Sequence, residues 1–130
     1  MPIVSLPDLL RCFELEPVDA DTWTGPNLEM PYYRVFGGQL LAQACAIAAR
    51  DAEGKIVKSL HVVFPREGDL AKPVHVAVAR PHDGRSFASR QLTAHQEGRV
   101  IMAATVSLHV PEEGAADHQR PMPDVPGPED

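Results

Sequence analysis

The sequence predicts an α+β domain in which a long antiparallel sheet wraps around one buried central helix. Residues 37–50 are apolar almost all the way round, and a helix of that kind lies inside a domain rather than on its surface. From Lys55 onward the apolar period changes from helical to two, which is the period of strands. Short glycine-containing connections separate the strand-like runs and favour antiparallel neighbours. A single apolar helix must be covered, and a curled sheet covers it.

The N-terminal region predicts one short helix and one short strand. Large apolar residues recur at helical spacing between Ser5 and Phe13, which indicates an amphipathic helix. Ser5 is a suitable N-cap, and Pro7 is tolerated in the first turn. Residues 21–25, around Trp23, then predict a short strand.

The central helix is followed by the runs that predict the sheet. Glu53-Gly54 ends the helix. Four alternating runs come next, at residues 56–64, 74–79, 87–95 and 100–110. Asp83-Gly84, between the second and the third run, predicts a type I′ hairpin, whose two central residues both have a positive φ. Glu97-Gly98 predicts a second hairpin, so the sheet is expected to be antiparallel.

The length and the distribution of proline predict one domain followed by a tail. A chain of 130 residues accommodates a single domain. Five of the 13 prolines fall in the last 20 residues, among Gly, Asp and Glu. Such a segment buries too little apolar surface to offset its ordering entropy. The globular domain is therefore predicted over residues 1–110, and residues 111–130 are predicted to be a tail or an inter-domain linker.

The composition argues against several classes of function. The formal net charge of −6 disfavours general nucleic-acid binding, which needs clustered Lys and Arg. No apolar run approaches the roughly 18 residues of a membrane-spanning helix, so no membrane partner is expected. Cys12 and Cys45 lie far apart without any metal-ligand spacing. No metal site is therefore expected, and a reduced, cytoplasmic chain is predicted.

A series of short motifs runs through the chain in order. They are Val35-Phe36-Gly37-Gly38-Gln39 with Gln43-Ala44, Ser59-Leu60-His61 up to Phe64, Gly68-Asp69, Asp83 to Ala88 with Arg90, and Gly98-Arg99-Val100-Ile101. In this order and spacing the chain resembles the N-terminal half of the acyl-CoA thioesterase II family, the double-hotdog hydrolases of fatty acyl-CoA. The resemblance covers about residues 5–110, and Met122-Pro123 resembles the inter-domain linker of the family.

The resemblance implies a hotdog fold, an acyl-CoA substrate and no cofactor apart from the coenzyme A that forms part of that substrate. It also implies a partner, either a homo-oligomer or a second hotdog domain. In the family, the water-activating Asp, Thr or Ser, and Gln belong to the second hotdog. The helix at residues 37–50 has no acidic residue that would replace them.

Candidate catalytic residues lie on the central helix and on the first long strand. Thioester hydrolysis needs an activated water and a stabilised oxyanion. Gly37 and Gly38 open the helix and offer free N–H groups at its positive end, although they could equally serve only to let the chain turn. Gln39 is a candidate for orienting substrate or water, whereas Gln43 is interpreted as structural. His61 is a candidate base, with a structural role as the alternative.

Basic residues provide candidates for binding the phosphates of coenzyme A. Arg66, Arg85 and Arg90, with Lys58, are the predicted patch, because the guanidinium group donates two hydrogen bonds to phosphate. The alternative is that these cations only solvate the surface of an acidic protein. Cys45 lies inside an apolar helix without a basic neighbour and is rejected as a nucleophile.

Three functions are compatible with these sequence features. The first is an acyl-CoA thioesterase domain that hydrolyses a fatty acyl-CoA to free acid and CoA, with a second hotdog needed for full activity. The second is a non-catalytic hotdog that binds acyl-CoA or completes the active site of a partner. A hydratase or dehydratase is disfavoured, because those hotdog enzymes pair an Asp with a His on the loop and helix, and this helix has neither.

Overall fold

The computed structural model describes residues 5–129 and confirms the α+β prediction. Six antiparallel strands form one sheet, in the order β1-β2-β4-β5-β6-β3, and the longer helix packs against β3, β5 and β6. In chain order the elements are α1 Leu6–Arg11, β1 Glu16–Pro17, β2 Thr22–Gly25, α2 Gly37–Asp51, β3 Ile56–Val63, β4 Val74–Asp83, β5 Phe87–Gln96 and β6 Arg99–His109.

The first helix forms as the sequence predicts, but its apolar side is exposed to solvent. The Ser5 hydroxyl accepts a hydrogen bond from the backbone N–H of Asp8, and the Asp8 side chain accepts one from the backbone N–H of Ser5. This capping box defines the start of α1. None of its residues is buried, and its three leucines are 40–66% exposed.

Helix α2 supplies the centre of the core. Ala44, Ile47 and Ala48 are fully buried against the inner face of the sheet. The small alanine side chains let the sheet approach the helix closely. The helix ends at Asp51, and the chain turns away at Gly54, whose φ of +80° is easily adopted by glycine.

The two hairpins differ from the prediction in one respect. The assignment of a type I′ turn to Asp83-Gly84 is wrong, because β4 continues through Asp83, which pairs with Ala88. Positive φ values occur instead at Glu97 (49°) and Gly98 (74°), which connect β5 and β6. The type I′ geometry therefore belongs to the second hairpin.

The sheet ends on one side at β1, which has two residues, and on the other at β3, which has eight. After β6 the chain from residue 111 to residue 129 is exposed and forms no helix or strand. Among the described residues no helix has the length and apolar character needed to cross a membrane.

Candidate functional site

The start of helix α2 is the first component of the candidate site. Phe36 occupies the N-cap position, and its side chain makes no capping hydrogen bond. Its carbonyl oxygen accepts hydrogen bonds from the N–H groups of Gln39, at 3.0 Å, and Leu40, at 3.4 Å. Within residues 5–129, no hydrogen bond engages the N–H groups of Gly37 and Gly38. These two donors therefore lie at the positive end of the helix without an acceptor.

The two glycines have different surroundings. A Cβ atom added at Gly37 would lie 3.4 Å from Cζ of Phe64, which lines a cavity. A Cβ atom added at Gly38 would lie 2.5 Å from Cε1 of Phe36. Gly37 therefore faces the cavity, and Gly38 lies beneath the Phe36 ring.

A cavity of about 440 Å³ opens beside Gly37. Its wall is formed by the start of α2 and by the segment that follows β3. The lining residues are Arg34, Val35, Gly37, Leu40, Phe64, Pro65, Arg66, Glu67 and Gly68. The apolar side chains of Val35, Leu40 and Phe64, combined with a few polar groups, have the general character of a small-molecule site.

Gln39 is part of the structure that supports this cavity rather than part of its lining. Its side chain is 2% exposed, and its Oε1 accepts a hydrogen bond from the backbone N–H of Leu28 at 2.7 Å. Its Nε2 donates to Oδ1 of Asn27 at 3.0 Å and to Oε1 of Gln43 at 3.4 Å. Each of its polar atoms is bonded to protein, so Gln39 holds the loop at residues 26–28 and has no free donor for a water.

Gln43 and Arg50, further along α2, also hold neighbouring segments of the chain against the helix. Nε2 of Gln43 donates to the carbonyl oxygens of Cys12, at 3.0 Å, and Pro26, at 3.2 Å. The Arg50 guanidinium donates to the carbonyl oxygens of Phe13 and Leu15, at 3.0 and 3.1 Å. The structural interpretation of Gln43 agrees with these contacts.

A second cavity, of about 520 Å³, shares residues 66–68 with the first. It lies where the β5–β6 turn meets the segment that precedes β4. Its lining residues are Tyr33, Arg66, Glu67, Gly68, Asp69, Lys72, Gln96, Glu97, Arg99 and Ile101. A ligand that passes residues 66–68 would contact both cavities.

Gln96 fixes one wall of the second cavity. The residue is 6% exposed, and its Oε1 accepts a hydrogen bond from the backbone N–H of Asp69 at 2.7 Å. Its Nε2 donates to the carbonyl oxygens of Asp69, at 2.7 Å, and Lys72, at 2.9 Å. Nδ2 of Asn27 donates to the same Lys72 oxygen at 2.8 Å. Side-chain amides therefore connect the end of β5 to the start of α2.

The assignment of Arg90 to a phosphate is wrong. Its side chain is 0% exposed and forms an ion pair with Asp51, whose side chain is 8% exposed, and a second one with Asp83 at 3.1 Å. A side chain without solvent access cannot reach a ligand on the surface. Arg90 instead fastens the C-terminal end of α2 to the β4–β5 hairpin.

The Asp51 carboxylate is held by two arginines. Arg80 also pairs with it and extends the network to Asp21. Burial by itself would raise the pKa of Asp51. The hydrogen bonds and charges of Arg80 and Arg90 outweigh burial, so the pKa of this carboxyl lies below its ordinary value.

Arg66 and Arg85 lie at opposite ends of the sheet. Nη1 of Arg66 donates to the carbonyl oxygen of Val100 at 3.3 Å, near the start of β6. Arg85 precedes β5, whose first residue pairs with His109 at the end of β6. At about 3.4 Å per residue, the length of β5 separates the two arginines by roughly 25 to 30 Å. The predicted phosphate patch is therefore not a single patch in this chain.

His61 is on the exposed face of β3. Strict alternation along β3 would place His61 on the same face as Val57. A register shift between Val57 and Ser59 interrupts that alternation, so Val57 packs against the core whereas His61 is exposed. Within the described chain no hydrogen bond or ion pair engages the His61 imidazole. The structure does not bring it to the lining of either cavity.

The properties of the two cysteines are consistent with a structural role. Both thiols are free, and burial raises the pKa of Cys12 and of Cys45. A raised pKa disfavours the thiolate that a nucleophile requires. Among the described residues, no three His, Cys, Asp or Glu side chains gather where they could hold a metal ion.

Sequence reasoning missed Asp51, Asn27 and Gln96. The alternation of β5 contained a signal for part of this network, because Arg90 and Gln96 occupy the same face as the buried Leu92. Polar residues at inward positions need buried partners, so both side chains are predictable as members of internal networks. No comparable periodic signal marks Asn27, which lies in a loop.

One sheet packed around one helix, with a cleft at the start of that helix, defines a hotdog domain of the thioesterase class. A sequence model of the acyl-CoA thioesterase N-terminal domain matches residues 26–109, and the chain belongs to this family.

Named relatives agree with that membership. The chain is 38% identical over 117 residues to acyl-coenzyme A thioesterase 8 of Homo sapiens, covering 89% of this chain and 37% of the human protein. It is 36% identical over 126 residues to acyl-CoA thioesterase 2 of Haemophilus influenzae, covering 96% of this chain and 44% of that protein.

A solved structure gives the same result. The tesB protein of Mycobacterium avium subspecies paratuberculosis superposes with a TM-score of 0.86 at 37% identity, covering 96% of this chain and 49% of that one. The chain thus spans less than half the length of these three relatives.

Proposed function

We propose that this domain takes part in the hydrolysis of a fatty acyl-CoA to free acid and CoA by direct attack of water. The observation that carries the proposal is the pair of unengaged N–H groups at Gly37, which lines the 440 Å³ cavity, and at the adjacent Gly38. Membership of the acyl-CoA thioesterase N-terminal family supports the choice of substrate.

The geometry suggests how the substrate would be placed. A thioester oxygen that approaches the start of α2 meets backbone donors and the positive end of the helix dipole. Both stabilise the negative charge that develops on this oxygen when water attacks. The apolar side chains of Val35, Leu40 and Phe64 line the adjoining cavity and suit an acyl chain.

The general base is proposed to come from a second hotdog unit. Among the described residues, Glu67 is the only acidic one in the lining of the 440 Å³ cavity, and its carboxylate is 2.7 Å from the Arg34 guanidinium. Asp51 lies at the far end of α2, in the ion-pair network of Arg80 and Arg90. Because general-base assistance contributes roughly two to four orders of magnitude in rate, we expect the chain alone to hydrolyse acyl-CoA slowly.

The pairing of Glu67 with Arg34 also favours a second candidate function. A cavity that lacks a free carboxylate fits a non-catalytic hotdog that binds acyl-CoA or completes the site of a partner. The two functions differ in whether Gly37 and Gly38 affect the rate of hydrolysis or only the affinity for acyl-CoA.

A partner is proposed to pair with the edge of β3. This strand ends the sheet and has eight residues, and a long open edge is a liability in solution. Ile56 and Val63, at its two ends, are about half exposed, as is Phe64 next to it. The partner is either a second copy, giving a dimer, or a second hotdog in the same protein. Light scattering that shows a stable monomer at micromolar concentration would contradict this proposal for the chain alone.

The location and pathway are proposals as well. Two free cysteines suit a reducing compartment, so we place the chain in the cytoplasm. A fatty acyl-CoA substrate would place it in fatty acid metabolism.

The test compares two glycine-to-valine variants for acyl-CoA binding and for hydrolysis of a medium-chain acyl-CoA. Gly37→Val projects methyl groups towards Phe64 and into the cavity, so we expect loss of binding with the secondary structure retained. Gly114→Val, in the exposed tail, is the matched control and should bind as the unmodified chain does.

Adding a second hotdog unit then separates the two functions. Faster hydrolysis that depends on Gly37 supports the thioesterase, and unchanged affinity in a folded Gly37→Val protein contradicts the placement of the substrate.

A further inference from the structure

The 520 Å³ cavity contains two cationic side chains, Lys72 and Arg99, to which neither the sequence prediction nor the proposed function assigns a role. Arg66, Lys72 and Arg99 line it, together with three carboxylates. The Arg66 guanidinium donates to the carbonyl oxygen of Val100, the residue after Arg99, at 3.3 Å. Both arginines are exposed.

The ion pairs in this cavity leave these two arginines without a carboxylate. Glu97 lies 2.8 Å from the Lys72 ammonium, and Asp69 lies 3.7 Å from the same group. Glu67, the third carboxylate, is 2.7 Å from Arg34. Within residues 5–129, no ion pair engages Arg66 or Arg99.

The backbone around Arg66 and Arg99 is positioned by side-chain hydrogen bonds and by a tight turn. Gln96 hydrogen-bonds both Asp69 and Lys72 and so fixes the wall opposite the β5–β6 turn. Arg99 itself follows the Glu97-Gly98 turn, whose positive φ values determine where β6 begins. Each of the two guanidinium groups in this cavity can donate two hydrogen bonds to a phosphate.

The two cavities are also arranged in the order that an acyl-CoA requires. They share residues 66–68, with the start of α2 beside the first cavity and Arg99 in the second. A ligand with a thioester at one end and phosphates at the other can pass this shared segment and contact both.

We propose that Arg66 and Arg99 bind the phosphate groups of coenzyme A, in place of the Arg85 and Arg90 that the sequence suggested. The inference rests on the proposed function, because it assigns the polar end of the same substrate. Arg90 is excluded by its burial against Asp51, and Arg85 lies at the other end of the sheet from the cavities.

The experiment measures the dissociation constant of coenzyme A for the chain and for three arginine variants, Arg66→Gln, Arg99→Gln and Arg85→Gln. Arg99→Gln is the cleanest variant, because this side chain has no hydrogen-bond or ion-pair partner to lose within residues 5–129. We expect each of the first two variants to bind about tenfold more weakly, as is typical when a hydrogen bond to a charged group is lost. Arg85→Gln is the matched control, an exposed arginine on the other hairpin, and should bind as the unmodified chain does.

A second readout separates phosphate binding from a structural effect. The dependence of the dissociation constant on salt concentration should become weaker in Arg66→Gln and Arg99→Gln, because fewer charges contact the ligand. Dephospho-CoA, which lacks the 3′-phosphate, should bind the unmodified chain more weakly than CoA and should lose less affinity in the variant whose arginine contacts that phosphate.

The outcomes distinguish this inference from the proposed function. Weaker CoA binding in Arg66→Gln and Arg99→Gln supports the inference even if no hydrolysis is found with a second hotdog unit. Normal CoA binding in both variants overturns the inference while leaving the thioesterase proposal intact, and the same holds if Arg85→Gln alone weakens binding. An unmodified chain that binds no CoA overturns both.

Discussion

Removing one member of the buried ion pair between Asp51 and Arg90 should be one of the most destabilising single substitutions in this domain. Replacing Arg90 with methionine keeps an unbranched side chain of similar length but removes the charge. Asp51, whose side chain is 8% exposed, would then keep only Arg80 as an ionic partner. Asp83 and the carbonyl oxygens of His82 and Ser89 would also lose the guanidinium donor.

The expected loss follows from the burial of both groups. Removing one member of a buried pair typically costs about 3 to 5 kcal/mol, because the other charge stays buried without compensation. Arg80 remains beside Asp51, so we expect the lower end, about 3 kcal/mol. For a domain of this size that corresponds to a fall in melting temperature of roughly 12 °C.

The pH dependence gives an independent check on the same pair. The pKa of Asp51 is lowered in the folded chain, so its ion pairs stabilise the fold above its unfolded pKa of about 3.9 and lose that effect as the pH falls through the folded pKa. In Arg90→Met one of the two arginines that lower the pKa is gone while burial remains. The difference in stability between the two proteins should therefore shrink as the pH falls towards and below the unfolded pKa of about 3.9.

Urea unfolding at pH 7 and at pH 3.5 measures both effects. Arg85→Met is the control, an exposed arginine that precedes the same strand, and it should leave the midpoint unchanged. If Arg90→Met lost less than about 1 kcal/mol at pH 7, the pair would behave as an ordinary surface ion pair, and the reasoning would be refuted.

Three further predictions concern side chains and turns around the two cavities. Gln39→Leu removes the acceptor for the buried N–H of Leu28 and should cost about 1 to 3 kcal/mol in urea unfolding; an unchanged midpoint combined with weaker acyl-CoA binding would instead support a substrate role. Gly98→Ala should destabilise the domain by about 1 kcal/mol in a thermal melt, because its φ of +74° is unfavourable for alanine. No atom lies within 4 Å of the added Cβ, so a steric clash would not contribute. A rise in melting temperature would contradict this. His61→Ala should leave hydrolysis unchanged, since the imidazole is exposed and outside both cavities; a tenfold fall in rate would show that it is the base.

Most of the fold was predictable because its signal is local and periodic. The change from a helical period to a period of two located α2 and the strands that follow it, and Ser5 located the start of α1. The misplaced type I′ turn shows where a local signal stops being sufficient. A dipeptide indicates that a turn is near, but the length of the flanking strands decides which residues take positive φ, and β4 includes Asp83.

The site was less predictable, for two physical reasons. A β-bulge shifts the faces of β3 between Val57 and Ser59, and the sequence pattern there does not reveal it. The polar contacts that position α2 also join residues far apart in the chain, such as Arg90 and Asp51, which are separated by 39 positions. Residue type alone suggests a ligand for Arg90, which is wrong. Its place on the inward face of β5, with Leu92, indicates burial.

Both ends of helix α2 are positioned by residues that line neither of the two cavities. Near the start, Gln39 bonds Asn27 and the backbone of Leu28. At the end, Asp51 is held by Arg80 and Arg90. These contacts oppose sliding of the helix along the sheet and favour one position of its first N–H groups relative to the cavity. Donors that need no rearrangement are the ones that stabilise a developing oxyanion most effectively. The polar side chains on this helix are used to hold it in place, which is a physical reason why the base would have to come from another unit.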